Sequence, residues 1–567
     1  MEINTGVLII GGGGAACRAA IAAADCGAQV LLMSKKPLKK GGATCYPVAE
    51  MAGFNAGNPA IAGDTEKHYN DIVSAGQGMA SPELAAILAA GAPQAVTTLE
   101  SWGVRFEEVS GAASSVNSKP YYIFRSCFSR HPRTHVIQGH GEPIVSAMRR
   151  QISLRPQIRL MEDITITGLL VTEGVCVGAY GWTTGGEEIL VRAGAVILTT
   201  GGVCRAFEKN LNPADVTGDG YALAWNAGAE LVNMEFMQIG MGFSHPIVNM
   251  FNAYLWEGRP VLRNVQDEDF LGKDLPSGLT ADDVMHEHRK HFPFSSSDNA
   301  KYLEIAVQRE IAEGGSTPRG GVKVDLRHMT DPYVASLKDD CGIHHMWPIA
   351  REYMKKRGVD LLSQTVEVCC FAHAINGGVK IDRVSSSSLV GLYAAGETAG
   401  GPHGADRLGG NMMVTCQVFG AIAGENAALW AMRNPVRDVS SSTSRRWKEE
   451  IAQSRDLLKR NAGAEFLVDK LRKTTQRNLL VCRTEAGLRH TLETVGTLEK
   501  EIMASPCTDA LNLRNFELMS MLSSVRLMAF AALRRKESRG SHHRKDFPCK
   551  DENHNSPCVL KKGDTAN

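Results

Sequence analysis

The chain has 567 residues, enough for roughly two to four domains, and 43% hydrophobic with 22% charged residues excludes a disordered or fibrous protein. Sixty-two Lys and Arg stand against 61 Asp and Glu, a net charge of +1, which excludes bulk electrostatic binding to nucleic acid or anionic membrane. The compositional excess lies in the 57 glycines, which gather in short blocks, the pattern of backbone brought close to a ligand.

The 14 cysteines run from Cys17 to Cys558 without C-x-x-C spacing, so neither a disulfide scaffold nor an iron–sulfur or zinc site is expected within the chain. The adjacent Cys369 and Cys370 read as a buried strand end. His286, His288, His291, His344 and His345 do not share one helix face, so no metal is expected. The N-terminus enters a strand directly, without a basic leader, and no stretch of 18 uninterrupted apolar residues follows. The expected location is cytoplasmic, with reduced thiols and any membrane association made through a partner.

Val7-Leu8-Ile9-Ile10 is a continuous apolar run, as a strand buried on both faces requires. Gly11-Gly12-Gly13-Gly14-Ala15-Ala16 follows, then an alanine-rich helix to about Asp25 and a second strand, Gln29 to Met33. This is G-x-G-x-x-A in a strand–turn–helix–strand unit. Gly11 permits the turn, Gly13 admits a pyrophosphate, the small Ala16 allows close packing, and the helix N-terminus faces the phosphate charge. Ser34-Lys35 stands where a plain NAD site would carry a carboxylate. Strand-like segments between Arg159 and Val191 read as a meander, with turns at Thr172-Glu173-Gly174 and Gly185-Gly186. A second strand–glycine unit ends in Thr200-Gly201-Gly202, and a third runs from Gly391 to Glu397. One FAD-binding domain assembled from distant stretches explains all three.

Residues 391–423 read GLYAAGETAGGPHGADRLGGNMMVTCQVFGAIA, and Val216 to Leu231 contains T-G-D-G-Y-A-L-A-W-N-A-G-A-E. These blocks, with looser ones at Ala43 and Phe371, resemble the fumarate reductase / succinate dehydrogenase / aspartate oxidase flavoprotein family. Cys482 to Leu488 and Arg535 to Pro548 are similar to that family's C-terminal helical domain and its terminal R-x-E-S-R-G-x-H-x-R-x-D-[FY]-P. The resemblance implies an α/β fold, a Rossmann-like FAD-binding domain interrupted by a mobile α+β capping domain, then a helical domain and an extended tail. The expected divisions are 1–239 and 356–432 for the FAD domain, 240–355 for the cap, 433–535 for the helices and 536–567 for the tail.

The resemblance also implies site residues. Gly11, Gly13, Gly14, Ala15 and Ala16 would hold the pyrophosphate, and Ser34 and Lys35 the ribose end. Gly42, Ala43, Thr44 and Cys45 would run under the isoalloxazine, with Gly201 beside the cofactor. Asp219 and Glu397 would accept from ribityl or ribose hydroxyls, and Asn411, Met412 and Met413 would present N–H groups to flavin N1 and O2. Gly42-Ala43-Thr44 lacks the family's tethering His, so the FAD is expected to be noncovalent, with a lower potential that favours substrate reduction. His373 and Arg407 fall on the family's substrate-binding His and carboxylate-clamping Arg, and Arg407 also lies beside the flavin.

Other positions depart from the family. In Phe236-Met237-Gln238-Ile239-Gly240 a substrate-binding His has become Gly240. Arg259 is the expected counterpart of a further catalytic Arg, and Asp282 falls where the proton-donating Arg stands, leaving His286, His288 or Arg289 to give the proton. The implied activity is oxidoreduction of a carbon–carbon bond beside a carboxylate or thioester, on a small carboxylic-acid substrate, with electrons exchanged with a ferredoxin-like iron–sulfur subunit. An aspartate-oxidase-like amino-acid oxidase and an electron-transfer subunit without its own substrate stand as alternatives.

Overall fold

The structure is a computed structural model, describing residues 1–58, 60–109, 120–339, 341–436 and 439–564. Its first sheet is built on β1 (Glu2–Ile10), whose Val7, Leu8 and Ile9 are fully buried. The glycine-rich turn leads into α1 (Gly14–Asp25), and the chain returns through β2 (Val30–Met33) parallel to β1, with Val7 opposite Val30. Then come β3 (Ile158–Met161) and the meander β4 (Ile164–Thr172), β5 (Val175–Thr183) and β6 (Glu188–Leu198). The strand order is β3-β2-β1-β6-β5-β4, with the short strand Leu392–Ala394 also parallel to β6. Three strand ends, followed by Gly11, Gly201 and Gly396, therefore lie side by side, as the three strand–glycine units anticipate.

The turns of the meander fall where the sequence places them. Glu173 and Gly174 take positive φ, 52° and 77°, to reverse the chain between β4 and β5.

The helix α2 (Asp219–Ala227) starts at the T-G-D-G block. A second sheet carries the cap. Its centre is β7 (Met237–His245) antiparallel to β8 (Val366–Ile375), extended by Asn249–Met250, Val322–Asp325 and Val261–Arg263. The expected cap boundary at 240 falls inside β7, and β8 follows the other boundary at 355. The cap is thus rooted through two paired strands. Cap helices include α3 (Ala281–His288), entered through a capping box in which Thr280 and Asp283 satisfy each other's N–H groups.

The helix α4 (Asn411–Arg433) crosses α1 closely. A Cβ at Gly424 would lie 2.3 Å from the Ala19 carbonyl oxygen, so this crossing needs glycine. Four helices follow, α5 (Ser441–Leu458), α6 (Ala464–Asn478), α7 (Glu485–Ala504) and α8 (Leu513–Arg534). Helix α8 is long and apolar enough to cross a membrane, but 72% of its most apolar stretch is buried against the rest of the chain. In the tail, Arg535 donates to Glu235 at 2.6 Å and to Glu537 at 2.8 Å, and Arg539 donates to Glu537 at 2.8 Å. These buried charges pair with one another, which is the form in which a protein interior tolerates them. They tie the tail to the segment just ahead of β7, and Val559–Leu560 adds a strand to Leu231–Val232.

Candidate active site

A cavity of about 500 Å³ runs from the three strand ends to the underside of the cap. At the first end the backbone is shaped for close approach. Gly11 has φ +137°, and a Cβ there would sit 2.2 Å from the Thr199 carbonyl oxygen. Gly13, the residue before helix α1, has no side chain to cap it, so the helix N-terminus opens toward the cavity. Gly14 N–H donates to Thr44 Oγ1 at 3.1 Å, and Gly42 N–H donates to Asp215 Oδ2 at 2.8 Å, which holds the 42–45 segment against the glycine turn. Ser34 and Lys35 line this end. Lys35 Nζ donates to Asp219 Oδ2 at 2.9 Å and Thr217 Oγ1 at 2.8 Å, and lies 3.0 Å from Glu517 Oε1 of α8. The pairing holds the Lys35 ammonium above its ordinary pKa against the cost of burial and holds Glu517 below its own. Asp219 is therefore half occupied by lysine.

Helix α4 also points an uncapped N-terminus at the cavity, after Gly410 at φ +79°, and Met412 and Met413 form part of the wall. Asn411 lies behind that wall. Its Oδ1 meets His68 Nε2 at 3.1 Å, while its Nδ2 is buried without a partner. Two helix N-termini and a glycine cradle facing one cavity fit an anionic dinucleotide.

The second end is assembled by β7 and β8. Ile239 pairs with Ala372 and Gln238 with Ala374, which leaves His373 as the extra residue of a β-bulge. Bulges re-aim a side chain, and His373 faces the cavity beside Arg407. Arg407 is buried. Its Nε donates to Gln238 Oε1 at 2.9 Å and its Nη1 to the Leu408 carbonyl at 3.2 Å, while Gln238 Nε2 donates to the Arg407 carbonyl at 3.2 Å. Burial pulls Arg407 down to about 10, and burial beside that guanidinium pulls His373 down to about 3, so His373 is neutral at working pH. Its Nδ1 is buried without a partner. Glu397 accepts the Ile375 N–H at 3.0 Å, and burial lifts its carboxyl to about 7.

From the cap, Arg289 lines the cavity and donates to Glu257 Oε2 at 2.5 Å and to the His286 carbonyl at 3.1 Å. Of the three candidates for proton delivery, His286 bonds Arg289 from behind, and His288 is buried on Glu304 at 2.6 Å. Arg289 is the one on the wall. Arg259, by contrast, is not. It lies on the exterior, 61% exposed, paired with the equally exposed Asp282 at 3.0 Å. The structure does not bring Arg259, the expected further catalytic Arg, or Asp282, at the proton donor's place, to the cavity wall. The chain turns outward at Arg259, φ 52°, and leaves Glu257 as the inward member of the segment. Ala16 and Cys45 likewise stand behind the wall. Ala16 is wholly buried under the turn, and burial raises the Cys45 thiol to about 11.

Sequence reasoning missed Gln238, Asp215 and Phe292. Gln238 had a signal, since it stands in the F-x-Q block. Phe292 had none, because only the fold brings it over Gly240.

Comparison with known proteins agrees with this geometry. Residues 6–413 match the family described as FAD binding domain, and residues 468–563 match fumarate reductase flavoprotein C-term. The chain belongs to the fumarate reductase / succinate dehydrogenase flavoprotein family. It is 32% identical over 560 residues to one subunit of the fumarate reductase (CoM/CoB) of Methanothermobacter marburgensis, covering 96% of this chain and 94% of that one. It is 30% identical to a fumarate reductase flavoprotein subunit of Mycobacterium tuberculosis, covering 98% of this chain and 94% of the relative. Among solved structures, a quinol-fumarate reductase with menaquinol molecules superposes with a TM-score of 0.80 at 25% identity, covering 99% of this chain and 98% of the other. This flavoprotein is an FAD-dependent oxidoreductase acting on CH–CH bonds, and the cradle of Gly11 to Gly14 with the two helix N-termini could hold its FAD.

Proposed function

We propose that this flavoprotein reduces the carbon–carbon double bond of an unsaturated acid, as one subunit of a complex whose iron–sulfur partner feeds it electrons. The observation that carries the reading is the junction of two sites in one cavity, a dinucleotide cradle and a cluster of Arg407, His373 and Arg289. FAD held by the cradle of Gly11 to Gly14 would supply hydride chemistry for one carbon of the alkene. Arg407, fixed by Gln238, clamps the carboxylate, and a guanidinium fork suits that planar anion. His373 is neutral, so it polarises the carboxylate as a hydrogen-bond donor without moving a full charge. Arg289 delivers a proton to the other carbon, and Glu257 returns one to it. The net change is one C=C bond, two electrons and two protons becoming CH–CH. The cap, rooted on β7 and β8, covers the reacting atoms from water.

Partner and cofactor mode extend this reading. The relatives are described as subunits, this chain carries no cluster cysteines, and its residues 42–45 offer no His for a covalent flavin. Replacing Arg289 by Gln while keeping FAD bound tests the proton role. We expect reduction of an enoate by dithionite-reduced viologen to fall by about 10²–10⁴-fold, as loss of a general acid implies. Unchanged turnover would remove Arg289 from the mechanism. Rapid oxygen uptake with an amino acid would favour an oxidase instead.

A further inference from the structure

We infer that the cavity carries an apolar subsite built on Phe292, which selects an unsaturated monocarboxylate with a hydrocarbon substituent on the far alkene carbon over a dicarboxylate such as fumarate. The inference rests on the reading that the cavity reduces an enoate, and it names the substrate class.

Phe292 is 4% exposed and lies edge-on to His373, with ring centroids 5.5 Å apart and planes at 87°. It fills the space above Gly240, where a Cβ would come within 2.3 Å of the ring. No histidine fits at position 240 while the ring is there. Phe292 belongs to a small apolar cluster separate from the two large cores, and Val48, Cys127, Leu211, Met250 and Ala253 of that cluster also line the cavity. Cys127 is the one polar side chain of that group, and it is engaged, accepting the Phe292 N–H at 3.0 Å, with burial raising its thiol. A second carboxylate placed against these side chains would lose its water and meet hydrocarbon in its place. That loss costs more than the hydrocarbon group gains by the same burial.

The charges point the same way. Among the described residues on the wall, Arg289 is matched by Glu257, Lys290 by Glu287, and Lys35 by Asp219 and Glu517. Lys36 and Arg125 are exposed to solvent. Arg407 is buried, and its hydrogen bonds go to an amide and a carbonyl. With Glu397 near it but no carboxylate in those hydrogen bonds, this buried guanidinium has room for one substrate carboxylate.

The test uses the FAD-loaded enzyme under anaerobic conditions with reduced viologen as electron donor, and compares fumarate, crotonate and trans-cinnamate. The expected result is a kcat/KM for at least one monocarboxylate about tenfold or more above that for fumarate. Phe292→Ala should erase most of that ratio, and Phe292→Leu, which keeps an apolar wall, should keep most of it. In parallel, hydrocinnamate and succinate are titrated into the oxidised enzyme and followed by the flavin absorbance. Hydrocinnamate should bind about tenfold or more tighter, an advantage lost in Phe292→Ala. Preference for fumarate over both monocarboxylates, or equal binding of the two saturated acids, overturns the inference and leaves enoate reduction standing. Oxidation of viologen by none of the three substrates overturns the underlying reading, and the titration still decides the subsite.

Discussion

Lys35 stands where the dinucleotide fold usually keeps an acid, and the structure shows what it does there. Its ammonium sits between Asp219, 2.9 Å away at the cavity, and Glu517, 3.0 Å away on helix α8, with side chains only 15%, 11% and 10% exposed. At an effective dielectric of about 20, each attraction is about 5–6 kcal/mol before desolvation is subtracted. The substitution Lys35→Met keeps the apolar stem and leaves Asp219 without its cation, while Glu517 keeps only Arg514, 2.7 Å away. Removing one partner of a buried ion pair costs about 3–5 kcal/mol. We therefore expect Lys35→Met to lose about that much unfolding free energy at pH 8, read from urea denaturation of the FAD-free protein. The pH dependence has a definite sign. Glu517 is held below its ordinary pKa in the wild type, so its contribution is present above about pH 4.5 and fades as pH falls. In the variant Glu517 has lost one of its two cations, so this pH-dependent part of the deficit should shrink toward pH 4.5. Adding Asp219→Asn and Glu517→Gln should recover most of the loss. A deficit below about 1 kcal/mol, the scale of an exposed ion pair, would refute the claim that this triad fastens the helical domain to the nucleotide site.

Asp406, bonded by Ser295 at 2.7 Å and Gln77 at 2.9 Å, is lifted to about 7 by burial. Its folded pKa lies above the unfolded value, so its protonated form stabilises at low pH and the benefit is lost as pH rises from about 4 to 7. Asp406→Asn keeps an acceptor and escapes that loss, so its midpoint temperature relative to wild type should rise between pH 5 and pH 8; a constant difference would contradict the shift. Acid precipitation should release all FAD into the supernatant. Flavin fluorescence retained on the denatured band would point instead to His140, which lines the cavity beside the Gly141 that packs on Thr44.

Much of the nucleotide half was legible because its constraints are local. The run Val7 to Ile10, the glycines after it and the small residues of α1 each obey a rule that acts within a few positions. The substrate half was legible only where a motif spans it, as at Arg407 and His373. Arg259 misled because one residue in the left-handed region turns the chain outward and leaves Glu257 inside. Asp282 misled because α3 sets it on the outer face, seven residues ahead of the Arg289 that reaches the wall. Phe292 was invisible, since a ring from beyond α3 fills a space vacated on β7, and no local pattern links the two.

The most direct test of enoate reduction by this cavity is anaerobic stopped-flow mixing of the reduced, FAD-loaded enzyme with an unsaturated monocarboxylate. The flavin absorbance should return in one turnover, and in Arg407→Ala, normalised to its FAD content, the return should slow by about 10²-fold or more, the scale of losing a charge-assisted clamp with its orientation. Reduced enzyme that no unsaturated acid reoxidises, or an Arg407→Ala variant reoxidised at the wild-type rate, would contradict the account.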